Sequence, residues 1–237
     1  MDKSITHQSG VMVINNARRL HEDAILLHDM ERYPTAYSIS ILAQEEFGKA
    51  FMLHLATEGK MPWNDGLQKA FRSHSCKQLV ALIMAYLERN DWDWIDMKER
   101  YNELYRGASN FPDFVIDAVH IIVLEYVKQF HRMEWLDSPG REIDPQANRI
   151  AKGILDREKQ TGFYISIGNN GTVTREPNLI TESQSKEELE RTEKVSKAIG
   201  VVNGKLIALS VEVDKIMALF QVLSGTMTVE EFNNSWW

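Results

Sequence analysis

The feature that most constrains this chain is a helical rhythm: before residue 138, apolar residues recur every three or four positions, and glycine and proline are sparse. That period gathers apolar side chains into one stripe per helix, and such stripes find cover against one another, so a mainly α, four-helix bundle is the expected core. The first helix is predicted from about Val11 to Glu31, with Val13, Ala17, Leu20, Ala24 and Leu27 on its stripe. The second, from about Pro34 to Glu58, is apolar around most of its circumference, which predicts a central, largely buried position. A third is expected from about Leu67 to Arg89, then a polar, aromatic stretch (NDWDWIDMKERYNELYRG), then a fourth, strongly apolar helix from about Pro112 to Leu136.

Beyond residue 137 the pattern changes. SPGREIDPQANR reads as a turn-rich linker, and KQTGFYISIGNNGTVTREP holds two β-prone runs around GNNG, so a small hairpin is predicted. After Pro177 the chain turns helical again, opening at a capping-box pattern in Ser185 and Glu188 and continuing to about Ser224 with a break near Gly200 and Gly204. Thr228 and Glu231 repeat the cap signal before a tail ending in Trp236 and Trp237. The expected division is a bundle over 1–137, a linker and hairpin over 138–178, and a C-terminal helical region over 179–237 that packs on the bundle. Phe163 is expected to pack back onto the protein; the tail tryptophans and Tyr164 are candidate interface anchors.

Charge and motifs exclude several classes of function. With 34 acidic and 27 basic residues the net charge is -7, which argues against constitutive, tight nucleic-acid binding. No apolar run reaches the roughly 18 residues of a membrane span, and MDKSITHQSG does not resemble an export leader, so the expected address is cytoplasmic. The one cysteine, Cys76, rules out an intramolecular disulfide and multi-cysteine metal sites. No glutamate is followed three residues later by histidine, which removes the usual carboxylate-bridged di-iron signature, and no phosphate-binding glycine loop, GxSxG or HExxH pattern occurs. No cofactor and no metal is expected.

Attention therefore falls on polar residues that interrupt apolar faces. Helical geometry puts Glu46 beside Ile39, Ala43 and Ala50, and turns Glu45 the other way, where it would form a surface pair with Lys49 worth about 0.2–0.5 kcal/mol. His74 falls within the stripe of Leu67, Ala70, Phe71, Gln78 and Ala81, with Lys77 at its edge, and Glu125 lies on the stripe of the fourth helix. A buried carboxylate needs a partner, so Glu46 is expected to meet His74 or Lys77 in one sheltered crevice. His21 and His28 read as interfacial or solvated. Arg18 and Arg72 sit near stripe margins where they could meet a phosphate.

The segment NARRLHEDAILLHDMERYPTAYSISILAQEEFGKAFMLHL resembles the AbiV-type abortive-infection proteins, whose helical domain belongs to the HEPN group. The matching features are Asn16-Ala17, Asp23-Ala24, Tyr33, the region of Ala36, the Ala43-Gln44-Glu45-Glu46-Phe47-Gly48-Lys49 block, His74 followed by Lys77, and the later GFYISI and ITES runs. The resemblance implies an HEPN-like bundle in a bacterial antiphage protein that stays quiet until a phage-encoded activator appears and then stops growth. It also implies a homodimeric, metal-independent endoribonuclease, although no histidine here stands at the Arg-x4-6-His spacing common in the group; the nearest imitation runs from Lys69 to His74. Metal-free RNA cleavage needs a base, an acid and a cation beside the phosphate. On this reading Glu46, His74, Lys77 and Lys49 are the candidate catalytic residues, Arg18 and Arg72 the substrate-binding ones. The alternative is a non-catalytic helical module that captures a phage or host protein.

Overall fold

The computed structural model describes residues 3–59, 63, 65–87 and 145–208. The predicted fourth helix with Glu125, His120 and His131, the polar stretch before it, and the tail from Thr228 to Trp237 lie outside the described residues. The described chain is mainly helical with two small antiparallel sheets.

Two long helices, α1 (Lys3–Asp29) and α2 (Tyr33–Thr57), form a hairpin. The turn between them closes because Glu31 takes a left-handed backbone (φ 61°), so its N–H reaches His28 O at 2.8 Å while that of Arg32 reaches Leu27 O at 2.8 Å. This double bond satisfies carbonyls that a helix end otherwise leaves bare. Pro34 in the first turn of α2 sacrifices no helical hydrogen bond.

The central position predicted for α2 is what the structure has: it is buried along most of its length and packs against α1, α4, α6 and α7 (the last three bounded below). Phe47, Phe51, Ile41, Met52 and Leu55 are its fully enclosed contributions to the core, joined by Ile14 of α1.

The predicted third helix is two. Helix α3 (Asp65–Arg72) ends before Ser73, whose hydroxyl accepts from Cys76 N–H at 3.2 Å and so starts a separate helix, α4 (His74–Leu87). The stretch expected as a linker contains α5 (Pro145–Ala151), with Ala147 and Ile150 buried, and α6 (Ile154–Thr161) follows. The predicted hairpin is present as β1 (Ser166–Ile167) and β2 (Val173–Arg175), antiparallel, with Ser166 opposite Arg175. Phe163 and Tyr164 stand outward, 40% and 66% exposed, so Phe163 does not pack back.

A 3-10 turn at Pro177–Leu179 leads into α7 (Glu182–Ala198), which packs on α1, α2 and α4. Its capping box is one turn earlier than expected: Thr181 Oγ1 accepts from Gln184 N–H, and Gln184 Oε1 accepts from Thr181 N–H. Ser185 and Glu188 are buried inside the helix, with Ser185 Oγ 2.9 Å from His28 Nδ1 and Glu188 accepting from Gln44. Helix α7 also stops earlier. Residues 199–208 form a second hairpin, β3 (Ile199–Val202) and β4 (Lys205–Ala208), around Asn203 and Gly204 at φ 50° and 72°. Two successive positive-φ residues make the tight turn whose twist suits antiparallel strands.

Candidate functional site

The polar centre of the described chain is Glu45, which is 2% exposed on α2. The sequence reading had the two glutamates reversed. Glu46 lies half-buried toward α1, where it accepts from Asn16 Nδ2 at 3.3 Å and pairs with Lys49 one turn along. Glu45 carries the inward cluster. The i,i+4 surface pair of Glu45 and Lys49 is accordingly not formed.

Four donors converge on the Glu45 carboxylate. Oε2 faces His74 Nδ1 at 2.6 Å and Lys77 Nζ at 3.0 Å; Oε1 accepts from Lys159 Nζ at 2.7 Å and Gln78 Nε2 at 2.9 Å. His74, Lys77 and Gln78 all come from the first turns of α4, whose N-terminal dipole favours the anion. Lys159 comes from α6 and also pairs with Asp156 at 2.7 Å. Three elements thus meet on one buried carboxylate.

Gly48 explains how α4 comes so near. It lies one turn beyond Glu45 on the same face of α2, and a Cβ there would stand 2.5 Å from the carbonyl oxygen of Lys77. The EExGK and HxxK motifs therefore describe one contact: Gly48 opens space for the α4 backbone, which delivers His74 and Lys77 to Glu45.

The electrostatics follow from burial and the lysines. Burial pushes the Glu45 carboxyl upward, but the Lys77 and Lys159 ammonium groups and the hydrogen bonds from Lys159 and His74 outweigh it, holding the group below its ordinary value. Lys77 and Lys159 are buried as well, at 7% and 5% exposed. His74 is not buried in the way its stripe position implied. Because α4 begins at this residue, half its side chain reaches solvent while Nδ1 stays on Glu45. An ionised carboxylate can only accept, so the 2.6 Å contact calls for a proton on Nδ1, the nitrogen that Lys159 Nζ also approaches to 3.1 Å.

Glu45, His74 and Asp156 offer ligand atoms within 4.8 Å of one another, the geometry of a possible metal group. The donor set does not suit a cation, because two ammonium groups already sit on the same carboxylates and the four charges cancel. Arg18 and Arg72 are exposed and make no hydrogen bond or ion pair with the cluster. Lys49 is engaged by Glu46. Sequence reasoning missed Lys159 and Asp156, whose only local signal is a short polar helix bracketed by Gly153 and Gly162.

Two further buried polar groups tie α2 to its neighbours. Gln44 Nε2 lies 2.9 Å from Glu188 Oε2 and 3.0 Å from Thr192 Oγ1. Tyr37 donates to Glu158 Oε2 at 2.9 Å, and Arg149 meets the same oxygen at 2.6 Å; burial together with the nearby Glu188 and Glu158 carboxylates pushes the Tyr37 phenol strongly upward. Of the two settings expected for His21, interfacial or solvated, the structure has the first: the ring is buried between α1 and α7, with Nε2 3.2 Å from Glu193.

Among the described residues no helix is long and apolar enough to cross a membrane. A family model described as AbiV, of HEPN type, matches residues 10–197, which include every member of the Glu45 cluster. No curated protein and no solved structure gives a match.

Proposed function

The chain belongs to the AbiV family of HEPN domains, and from that premise we propose that it arrests growth by metal-independent cleavage of RNA, with His74 as the reacting imidazole. Its family makes it an abortive-infection protein, acting in antiphage defence. The observation that carries the ribonuclease reading is the pairing of His74 Nδ1 with buried Glu45 at 2.6 Å while half of the ring faces solvent. A buried carboxylate that fixes tautomer and orientation is what a general base of this kind requires.

The chemistry is transesterification. Nε2 of His74 takes the proton of a ribose 2′-hydroxyl, the 2′ oxygen attacks phosphorus, the bond to the 5′ oxygen breaks, and a second imidazole returns a proton to that oxygen. The products are a 2′,3′-cyclic phosphate and a 5′-hydroxyl end. A homodimer in which the second copy contributes its own His74 supplies the acid. Glu45 is a positioning residue, and Lys77 and Lys159 hold Glu45 rather than substrate. Arg72, exposed two residues before His74, is the cation free to meet the phosphate. The net charge of -7 suits an enzyme with low intrinsic RNA affinity that a phage-encoded activator switches on in the cytoplasm.

Mapping RNA ends in infected and uninfected cells expressing wild type or His74→Ala tests the proposal. New 5′-hydroxyl ends should appear only with wild type under infection; the same ends with the variant would remove His74 as the reacting group. One observation favours a second reading. The cluster is charge-balanced and joins three helices, as expected of a packing device in a non-catalytic module that captures a phage or host protein. In that case His74→Ala lowers thermal stability while growth arrest survives.

A further inference from the structure

One ring nitrogen of His74 faces two partners that call for opposite tautomers. Nδ1 lies 2.6 Å from Glu45 Oε2 and 3.1 Å from Lys159 Nζ. A nitrogen of a neutral imidazole either carries a proton or offers a lone pair. With the proton on Nδ1, the ring donates to Glu45 and Nε2 keeps the lone pair of a base. With the proton on Nε2, Nδ1 accepts from Lys159 and the base is lost.

Asp156 restrains the ammonium in this competition. It stands three residues before Lys159 on α6, and Nζ meets Asp156 Oδ1 and Glu45 Oε1 at 2.7 Å each, closer than it comes to Nδ1. An ammonium has three N–H bonds, and the two carboxylates draw two of them away from the ring. Asp156 is itself held in place, since its Oδ2 accepts from Gln160 Nε2 at 3.0 Å and its position in the first turn of α6 matches its charge to the helix dipole. Its Oδ1 also lies 3.9 Å from Nδ1, where a negative charge favours a proton on that nitrogen. The Asp156 side chain is 23% exposed against 2% for Glu45, so it can be altered with less damage to the core.

We propose that Asp156 is a positioning residue for His74: by holding the Lys159 ammonium it keeps the proton on Nδ1 and the lone pair on Nε2. The inference rests on His74 as the reacting imidazole. It makes the short helix α6, remote in sequence from α4, the element that sets whether Nε2 can act as a base.

Nitrogen-15 NMR of the histidine rings in the full chain reads the tautomer directly, because a ring nitrogen bearing a proton and one bearing a lone pair resonate far apart. Spectra are recorded at about pH 8, above the ordinary histidine value, and the His74 signals are assigned by their loss in His74→Gln. Wild type should show Nδ1–H as the main tautomer. Asp156→Ala should move the ratio toward Nε2–H by about tenfold or more, the factor that one charge-assisted hydrogen bond from Lys159 supplies. Combining Asp156→Ala with Lys159→Met should restore Nδ1–H, a recovery that a ring merely loosened by the first substitution would not make. Should Asp156→Ala fail to fold, Asp156→Asn, which keeps the shape and removes the charge, takes its place. The spectra need no RNA, so they can fail while RNA-end mapping still supports cleavage at His74, and the two failures are told apart. Nε2–H as the main tautomer of wild type, a ratio unmoved by loss of the Asp156 charge, or a shifted ratio that Lys159→Met does not reverse would each overturn the proposal.

Discussion

Replacing Glu45 by glutamine keeps the shape of the side chain and deletes one charge, so it isolates what the carboxylate contributes to stability. In the wild type that carboxylate meets four donors at 2.6–3.0 Å. A glutamine oxygen can still serve two of them, but its NH₂ then faces the remaining donors. If the amide oxygen stays with Lys159 and Gln78, Lys77 is left 7% exposed with no carboxylate among the described residues, while Lys159 keeps Asp156 at 2.7 Å. Removing one member of a buried ion pair costs about 3–5 kcal/mol, because the surviving charge stays desolvated. Against a total stability of about 5–15 kcal/mol this is a large fraction, yet a folded population should remain. Glu46→Gln is the matched control. Its pair with Lys49 is 18% and 28% exposed, and the expected loss is below about 1 kcal/mol. Urea unfolding followed by far-ultraviolet circular dichroism gives both values, with a lower midpoint and unchanged slope expected for Glu45→Gln. Equal losses for the two variants, or less than about 1 kcal/mol for Glu45→Gln, would refute the assignment of Glu45 as the buried hub.

Other expectations follow from the same packing. The Glu45 carboxyl is held below its ordinary value of 4.5, so its contribution is complete above that pH and is lost as pH falls through the lowered folded-state value. The stability gap between wild type and Glu45→Gln should therefore shrink on acidification, and a gap unchanged well below 4.5 would contradict the ion pairing. Gly48→Ala, which at an exposed helical site would stabilise by up to about 1 kcal/mol, should here destabilise by about 1–3 kcal/mol, because the added methyl meets Lys77 O at 2.5 Å. Its midpoint in thermal unfolding decides the sign. Gln78→Met removes a donor to Glu45 and also a buried amide oxygen that has no hydrogen-bond partner among the described residues, so the two effects should cancel to within about 1 kcal/mol in urea unfolding. Thr181→Ala should cost about 1 kcal/mol through loss of the α7 cap, measured in the same way.

The long helices, the central place of α2 and the hairpin at GNNG were legible in the chain because each rests on local chemistry: apolar period, proline at a helix start, positive-φ residues at a turn. The second hairpin carried an equally local signal in Asn203-Gly204, flanked by Val201-Val202, but the helical pattern before it was extended past its true end. Choosing between Glu45 and Glu46 is a different kind of problem. Helix α2 is enclosed on several sides, so its apolar residues mark no single inward direction, and a helical wheel gives no phase by which to tell one glutamate from its neighbour.

What the sequence by itself determined is therefore the two long helices α1 and α2, the hairpin at GNNG and the motif blocks that hold Glu45, Gly48, His74 and Lys77, since propensity, capping and spacing act over a few residues. What only the tertiary structure decided is which carboxylate is buried and what neutralises it. Lys159 reaches Glu45 from 114 residues along the chain, and His74 turns half outward because Ser73 starts a new helix. The cost of burying a charge is met only when separate elements close around it, and that balance has no signature in local sequence.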